Sequence, residues 1–429
     1  MLLRPRSLNI VYPNFIPSEL FLESEIGFYY DFSVMPSLWQ NSTRTTPVAD
    51  FGDPVGYVDD LSGNGYNALQ ATAAARPFFG RQPRGGARNL LINTSTLTTR
   101  SVTVTAAQQT ISFTGTGTVT LSGVSTAGPL IGTGGNDRVS LTFTPTAGTL
   151  TLTVSGSATD GQLELGATTT DYQRVGASLS TDVTESGVQD VWFLRFDGAD
   201  DVMSCTIPAI TGGTIVIAGT NGIWIDAITV GAGTFSIGAT TYTSGPAGIL
   251  ALVGKVIGAM LIDTTLAGDD LTSVRSYYKS LGAPGYFQVS GAELVANGTN
   301  PTDTTGWTPL GANSAVSAVS STLRVEVLSG SRADAATPLV TVVGGRYLVS
   351  VELTNKVSPA TSGAFYAGTG PGSGNLMPTI TIANPEIVRA ILAPTTTTSY
   401  LTLKTNGTVG GATDYNSVSV KQITLNTGA

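Results

Sequence analysis

The chain has no histidine and a single cysteine, Cys205, among its 429 residues, and only 12% of it is charged. Without histidine there is no His-based triad, no imidazole general base and none of the commonest metal ligand. One cysteine excludes an internal disulfide and any zinc site built from clustered Cys and His, and it fits assembly in a reducing compartment. Basic residues are short as well: 21 Lys and Arg against 29 Asp and Glu leave a net charge of −8. No basic stripe is available to grip phosphates, so nucleic acid is not an expected partner. The most apolar stretch, 248–262, carries Lys255 in its middle and is too short to span a bilayer. It reads as two buried strands, and membrane insertion is not expected. The opening Met1-Leu2-Leu3-Arg4-Pro5-Arg6 lacks the apolar core and cleavage site of a secretory signal.

What the chain does have is glycine, 52 of them, with abundant Thr, Ser, Val and Ala. That composition predicts many short strands joined by tight turns, hence an all-β protein, and the length calls for several domains. Residues 1–27 carry Pro5, Pro13 and Pro17 between bulky apolar residues such as Ile10, Tyr12, Phe15, Leu20 and Phe21. This predicts an extended arm that lies either on its own sandwich or on a partner chain.

Two separated stretches share one character. The first runs Gly52-Asp53-Pro54-Val55-Gly56 and then Asp59-Asp60-Leu61-Ser62-Gly63-Asn64-Gly65-Tyr66-Asn67-Ala68; the second is Phe196-Asp197-Gly198-Ala199-Asp200-Asp201. With Leu38-Trp39-Gln40, Gln70-Ala71-Thr72 and Arg76-Pro77, this series resembles the opening of concanavalin A-like (laminin G-like) domains of bacteriophage structural proteins. The resemblance implies an antiparallel β-sandwich. It does not imply catalysis, because the Glu-x-Asp-x-x-Glu strand of sugar-hydrolysing relatives is missing. The family often closes with a helix, and Leu271, Val274, Tyr278 and Leu281 recur at helical spacing between Asp269 and Gly282.

Between the two stretches, Val102–Val104, Ile111–Phe113, Val119–Leu121, Val139–Phe143 and Leu150–Val154 alternate apolar with polar residues, the period of half-buried strands. The ending Gly161-Gln162-Leu163-Glu164-Leu165-Gly166 with Asp171-Tyr172 is similar to the last strand of jelly-roll modules in phage tail and fibre proteins. After a linker at 285–291, Glu293–Gly298 followed by Gly306-Trp307 resembles the opening of carbohydrate-binding-module-like jelly rolls. The expected organisation is an arm (1–27), a discontinuous concanavalin A-like sandwich (28–87 and 178–287), an inserted jelly roll (88–177) and a C-terminal jelly roll (288–429).

Candidate sites are few. Asp59, Asp60, Asn64, Asp200 and Asp201, with Asp53 and Asp197, offer the oxygen ligands calcium prefers, yet their spacing matches no EF-hand, and Asp in such turns commonly caps its own backbone. Neither a catalytic residue nor a cofactor is assigned; Glu164 is the best lone carboxylate, in a strand context that suggests an edge or exposed position. Tyr366, Trp224 and Tyr415 are the aromatics that could stack on a sugar, Tyr366 because glycines surround it. Trp307 reads as core. The resemblance implies a non-enzymatic virion protein made in the host cytoplasm: a fibre, tail or capsid-decorating component. It would attach to other virion proteins through the arm, form a homo-oligomer with a trimer ahead of other states, and meet a host surface glycan. A carbohydrate-binding receptor-recognition protein and a surface-polysaccharide hydrolase are the alternatives.

Overall fold

Alternating Val, Ile, Leu and Thr, cut every few residues by glycine turns, produce thirty-one strands and two α-helices among the described residues. The computed structural model describes residues 15–21, 24–238 and 248–428. The all-β expectation holds, and the strands stack as antiparallel sandwich sheets. The chain divides into two compact units, one from Met1–Thr220, Gly231–Gly238 and Lys255–Pro284, the other from Asn221–Val230, Ala239–Gly254 and Gly285–Ala429.

In the first unit the strand Val256–Ile262 is buried at all seven positions. It pairs antiparallel with Gly27–Asp31 on one edge (Phe28 opposite Leu261) and Ile210–Gly219 on the other (Ile215 opposite Leu261). The sheet continues through Asp190–Arg195 to Phe78–Pro83. Gly258 is required here, because a Cβ would lie 2.7 Å from the Tyr30 carbonyl oxygen and 2.9 Å from the Tyr278 ring. A second sheet runs Gly233–Gly238, Val202–Ile207, Ala68–Leu69, Tyr57–Val58, Leu38–Trp39. Both sheets therefore join strands from before residue 84 to strands from after residue 189.

The intervening residues have their own core, Leu91, Ile111, Phe113, Leu150, Leu152 and Leu163 among them. Around it lie a three-stranded sheet (Arg138–Phe143, Gln109–Gly115, Ala158–Leu165) and a four-stranded one (Arg100–Val104, Gly148–Ser155, Thr118–Gly123, Leu130–Ile131). The second unit pairs Arg346–Val357 with Ala412–Asn426 and Glu386–Leu392. Its other sheet is five-stranded: Thr308–Pro309, Arg332–Val340, Thr398–Gly407, Ala360–Gly368, Met377–Ile382. Trp307, Phe365, Leu401, Leu403 and Tyr415 fill the core between them, as the jelly-roll resemblance implied for Trp307.

Three sequence expectations change. The stretch 285–291, read as a linker, contains the strand Tyr286–Ser290, which pairs with residues 422–426; a partner more than a hundred residues away leaves no local signal. In 248–262 the first half is a helix, Ile249–Val253, and only the second half is a strand. Short apolar runs do not distinguish the two by periodicity. The strand Gly222–Val230 and that helix belong to the second unit, through a parallel pairing of Ile223 with Tyr286 and an Arg389–Asp226 ion pair. Most of the arm lies outside the described residues. Its Pro17–Phe21 portion is a 3-10 turn with Pro17, Leu20 and Phe21 buried in contact with its own unit, so this portion is not free to dock elsewhere.

The expected closing helix spans Gly268–Ser280, with Asp269 and Asp270 at its N-terminus and Lys279 in its last turn, each where the macrodipole favours it. Val274 and Tyr278 are fully buried. The helix is tied to Gly27–Asp31 by a buried carboxylate: Tyr277 donates to Asp31 Oδ2, and the Tyr29 hydroxyl lies 3.2 Å from the same oxygen and 2.5 Å from that of Tyr277. Asp31 Oδ1 accepts from the Ser33 amide (2.8 Å) and hydroxyl (2.6 Å). Tyr278, beside them, has a buried hydroxyl with no partner. A buried unpaired hydroxyl costs stability whereas a paired one contributes to it. Tyr278→Phe should therefore stabilise the chain by about 1 kcal/mol, and Tyr277→Phe should destabilise it by about 1–3 kcal/mol. Urea unfolding midpoints of the two variants check this.

Candidate functional site

Strand alternation creates the candidate site. Along the five-stranded sheet, Ala333, Ala335, Leu339, Phe365, Leu401 and Leu403 point into the core of the second unit. Their neighbours in each strand point to the opposite face. The register sets these outward residues in rows: Arg332 opposite Asn406, Asp334 opposite Lys404, Ala336 opposite Thr402, and Pro338 opposite Tyr400. On the next strand Ala364 stands opposite Lys404 and Tyr366 opposite Thr402.

The rows form a connected polar surface. Asp334 is buried; its Oδ1 accepts a hydrogen bond from the Tyr366 hydroxyl at 3.2 Å, and its Oδ2 lies 3.1 Å from Nε of Arg332, whose side chain is 60% exposed. Asn406 Nδ2 donates to the Ser362 hydroxyl at 2.9 Å. Lys404 and Tyr400 are half-buried on the same face. The glycine-rich loop after Ala360–Gly368 folds over one end: the Gly372 amide donates to Thr402 Oγ1 at 3.2 Å, and a Cβ on Gly374 would sit 3.6 Å from the Tyr366 ring. Burial, followed by the Asp334 carboxylate, pushes the Tyr366 phenol up to about 12, so it remains a neutral donor at ordinary pH. Asp334, Ala336, Ala364, Tyr366 and Thr402 are buried on this face, so what it offers to solvent is chiefly Arg332, Tyr400, Lys404 and Asn406, which can hydrogen-bond a hydroxyl-rich ligand.

The sequence candidates fare differently. Tyr366, expected in an exposed glycine loop, is in a strand and 5% exposed; its hydroxyl is on the candidate face but its ring is covered. Trp224 and Tyr415 are 2% and 0% exposed, and the Tyr415 hydroxyl donates to the Lys404 carbonyl at 2.7 Å. Stacking on a sugar needs an open ring face, so in this conformation neither performs it. Glu164 lies on the edge strand Ala158–Leu165 of its three-stranded sheet, as one expected alternative had it, but it is buried, accepting from Gln162 Nε2 (2.7 Å), the Thr170 amide (3.0 Å) and the Thr170 hydroxyl (2.5 Å). The outward face of its three-stranded sheet is occupied by its own chain. Thr110 and Thr142 donate to the Gly166 and Ala167 carbonyls, and Tyr172 lies against the Arg138 guanidinium.

The calcium candidates also close on themselves. Asp60 takes four donors: the Tyr29 and Ser62 amides on Oδ1 and the Ser62 hydroxyl and Tyr66 amide on Oδ2. Asp59 accepts from Trp39 Nε1 and pairs with Arg44, Asp53 Oδ2 accepts from Gln40 and the Ala49 and Asp50 amides, and Asn64 donates to the Glu25 and Gly27 carbonyls. Among the described residues only Asp197, Asp200 and Asp201 gather their carboxylates, within 4.8 Å. Asp197 Oδ1 accepts from the amides of Ala199, Asp200 and Asp201, which hold that carboxyl below its usual value, while Asp201 Oδ2 accepts from the Asp197 amide. These are turn caps.

Sequence reading missed Arg332, Asp334, Tyr400, Lys404 and Asn406. A signal existed in Arg332 and Asp334 and in the polar residues at every second position of 400–406, but nothing local says which side is core.

No family model matches the chain, and no curated protein does. Among solved structures it is similar to the enzymatically active domain of tailspike protein 4 of bacteriophage CBA120, with 16% identity over 30% of this chain and 21% of that one, at a TM-score of 0.24. It is also similar to the carbohydrate-binding and catalytic modules of a Clostridium thermocellum endo-1,4-β-D-xylanase, with 16% identity over 31% of this chain and 29% of that one, at 0.26. A mannan-recognising carbohydrate-binding module is similar over 99% of its own length and 33% of this chain, with 11% identity and a TM-score of 0.23. The chain thus spans 21% and 29% of the first two proteins. No residue role transfers from any of them.

The Tyr366 phenol generates a test. A folded-state value raised from 10.0 to about 12 contributes stability that is complete below pH 10 and is lost as pH rises through 12. Tyr366→Phe should therefore cost about 1–2 kcal/mol at pH 7. The gap from wild type should narrow between pH 10 and 12, read from urea midpoints across that range.

Proposed function

We propose that this chain is a non-enzymatic structural and adhesive component of a bacteriophage particle, and that it binds host-surface saccharide through the outward face of its five-stranded sheet. The observation that carries this reading is the row arrangement of Arg332, Tyr400, Lys404 and Asn406 on one sheet face, around the buried Asp334–Tyr366 pair. Saccharides are recognised by directional donors and acceptors beside an accessible aromatic, and Tyr400 is the aromatic this face keeps partly open. A glycosidase needs two carboxyl groups about 5–9 Å apart. The face has one, Asp334, already engaged by Arg332 and Tyr366, which favours binding over cleavage. The phage assignment is supported by the module series in the sequence. In this reading residues 1–14 attach a homo-oligomer, a trimer by preference, to other virion proteins.

Two outcomes are expected. On a glycan array the full chain should bind a defined set of saccharides, with Tyr400→Ala weakening that binding about tenfold and leaving the circular dichroism spectrum unchanged. An intact chain that binds no glycan would refute the saccharide assignment. Chains lacking residues 1–14 should be missing from purified particles that incorporate the full-length protein; incorporation at the normal level would refute the attachment role.

A further inference from the structure

We infer that the saccharide taken by this face is an acidic one, a uronate-bearing or similarly carboxylated glycan; the inference rests on reading the face as saccharide-binding. The chain as a whole is acidic, with a net charge of −8, and it has few cations to spend. The outward rows of the five strands nevertheless carry three charged side chains, Arg332, Lys404 and Asp334, two positive and one negative.

The single carboxylate is not available to repel an anion. Asp334 is buried and engaged on both oxygens, one by the Tyr366 hydroxyl and the other by Nε of Arg332. That leaves the terminal guanidinium nitrogens of Arg332 on an open side chain. The Lys404 ammonium has no hydrogen-bond or ion-pair partner among the described residues, although its strand neighbour opposite is Asp334. Lys356, on the strand Arg346–Val357 of the other sheet, by contrast donates its ammonium to the Thr361 and Ala383 carbonyls.

The terminal nitrogens of Arg332 and the ammonium of Lys404 thus sit one row apart, beside the polar groups of Ser362, Tyr400 and Asn406. A guanidinium end can grip a carboxylate in two parallel hydrogen bonds, and an ammonium adds a point charge. A neutral sugar would use the hydroxyl and amide rows and leave both charges unused. An acidic sugar uses all of them and benefits from a local potential opposite in sign to that of the rest of the chain.

The test uses the full-length protein with alginate and polygalacturonate oligosaccharides as acidic probes, mannohexaose and cellohexaose as neutral ones, and polyphosphate as a non-saccharide polyanion, by calorimetry. The expected result is binding of an acidic oligosaccharide that weakens as salt rises. Arg332→Gln and Lys404→Gln should each weaken it at least about tenfold, with neutral probes and polyphosphate bound far less. Neutral probes bound as tightly as acidic ones, with Tyr400→Ala still weakening them, would overturn the acidic specificity and leave the saccharide face standing. Polyphosphate bound as well as uronates would overturn it in favour of simple charge attraction. Acidic binding untouched by both Gln variants would overturn the assignment to this face, and no binding of any oligosaccharide would overturn the saccharide reading with it.

Discussion

The first unit depends on one strand being held on both edges. Val256–Ile262 is buried throughout, with Gly27–Asp31 hydrogen-bonded along one side and Ile210–Gly219 along the other. A fully buried strand must have every backbone N–H and C=O paired, since an unpaired group there costs as much as a lost hydrogen bond. That requirement forces the N-terminal residues to pair with a segment more than two hundred positions away. The same requirement makes the residues from 84 to 189 a detour that starts and ends beside adjacent strands, with a core of its own. Pairings of such sequence separation also predict slow folding relative to chains with local contacts.

Polar groups inside the sandwiches serve this closure. Asp31 fixes the helix Gly268–Ser280 to the sheet through two tyrosines. Gln162, Glu164 and Thr110 fix the chain as it leaves the three-stranded sheet. In each case a carboxylate or amide that looks chemically interesting in the sequence is consumed by neighbouring backbone and hydroxyl groups, as buried polar groups must be. The Asp-rich turns behave alike at the surface. Against this background the five-stranded sheet differs, because its outward face keeps the Lys404 ammonium and the terminal nitrogens of Arg332 unengaged among the described residues.

Much of the fold was legible. The strands around Ile111, Val139 and Leu150 follow from apolar residues at every second position, and the closing helix from Val274 and Tyr278 with acidic residues before them and Gly282 after. Trp307 was placed correctly in a core. The strand Tyr286–Ser290 was not legible, because what makes it a strand is its partner at 422–426. The aromatic candidates failed for a related reason. Tyr366 lies among glycines, a local sign of a loop, but those glycines let the chain beyond it fold back over the ring.

By itself the sequence determined that the protein is all-β, that this chain has no histidine and no internal disulfide, and which residues alternate along each strand, because these depend on composition and on the two-residue repeat of an extended backbone. Only the tertiary structure decided which of two alternating faces became core and which became surface, that Asp334 is neutralised by Arg332 and Tyr366, and that Lys404 is left unpaired. The physical reason is that strand register and the loop covering one end of a sheet are set by contacts between residues tens of positions apart, where single-sequence periodicity has no reach.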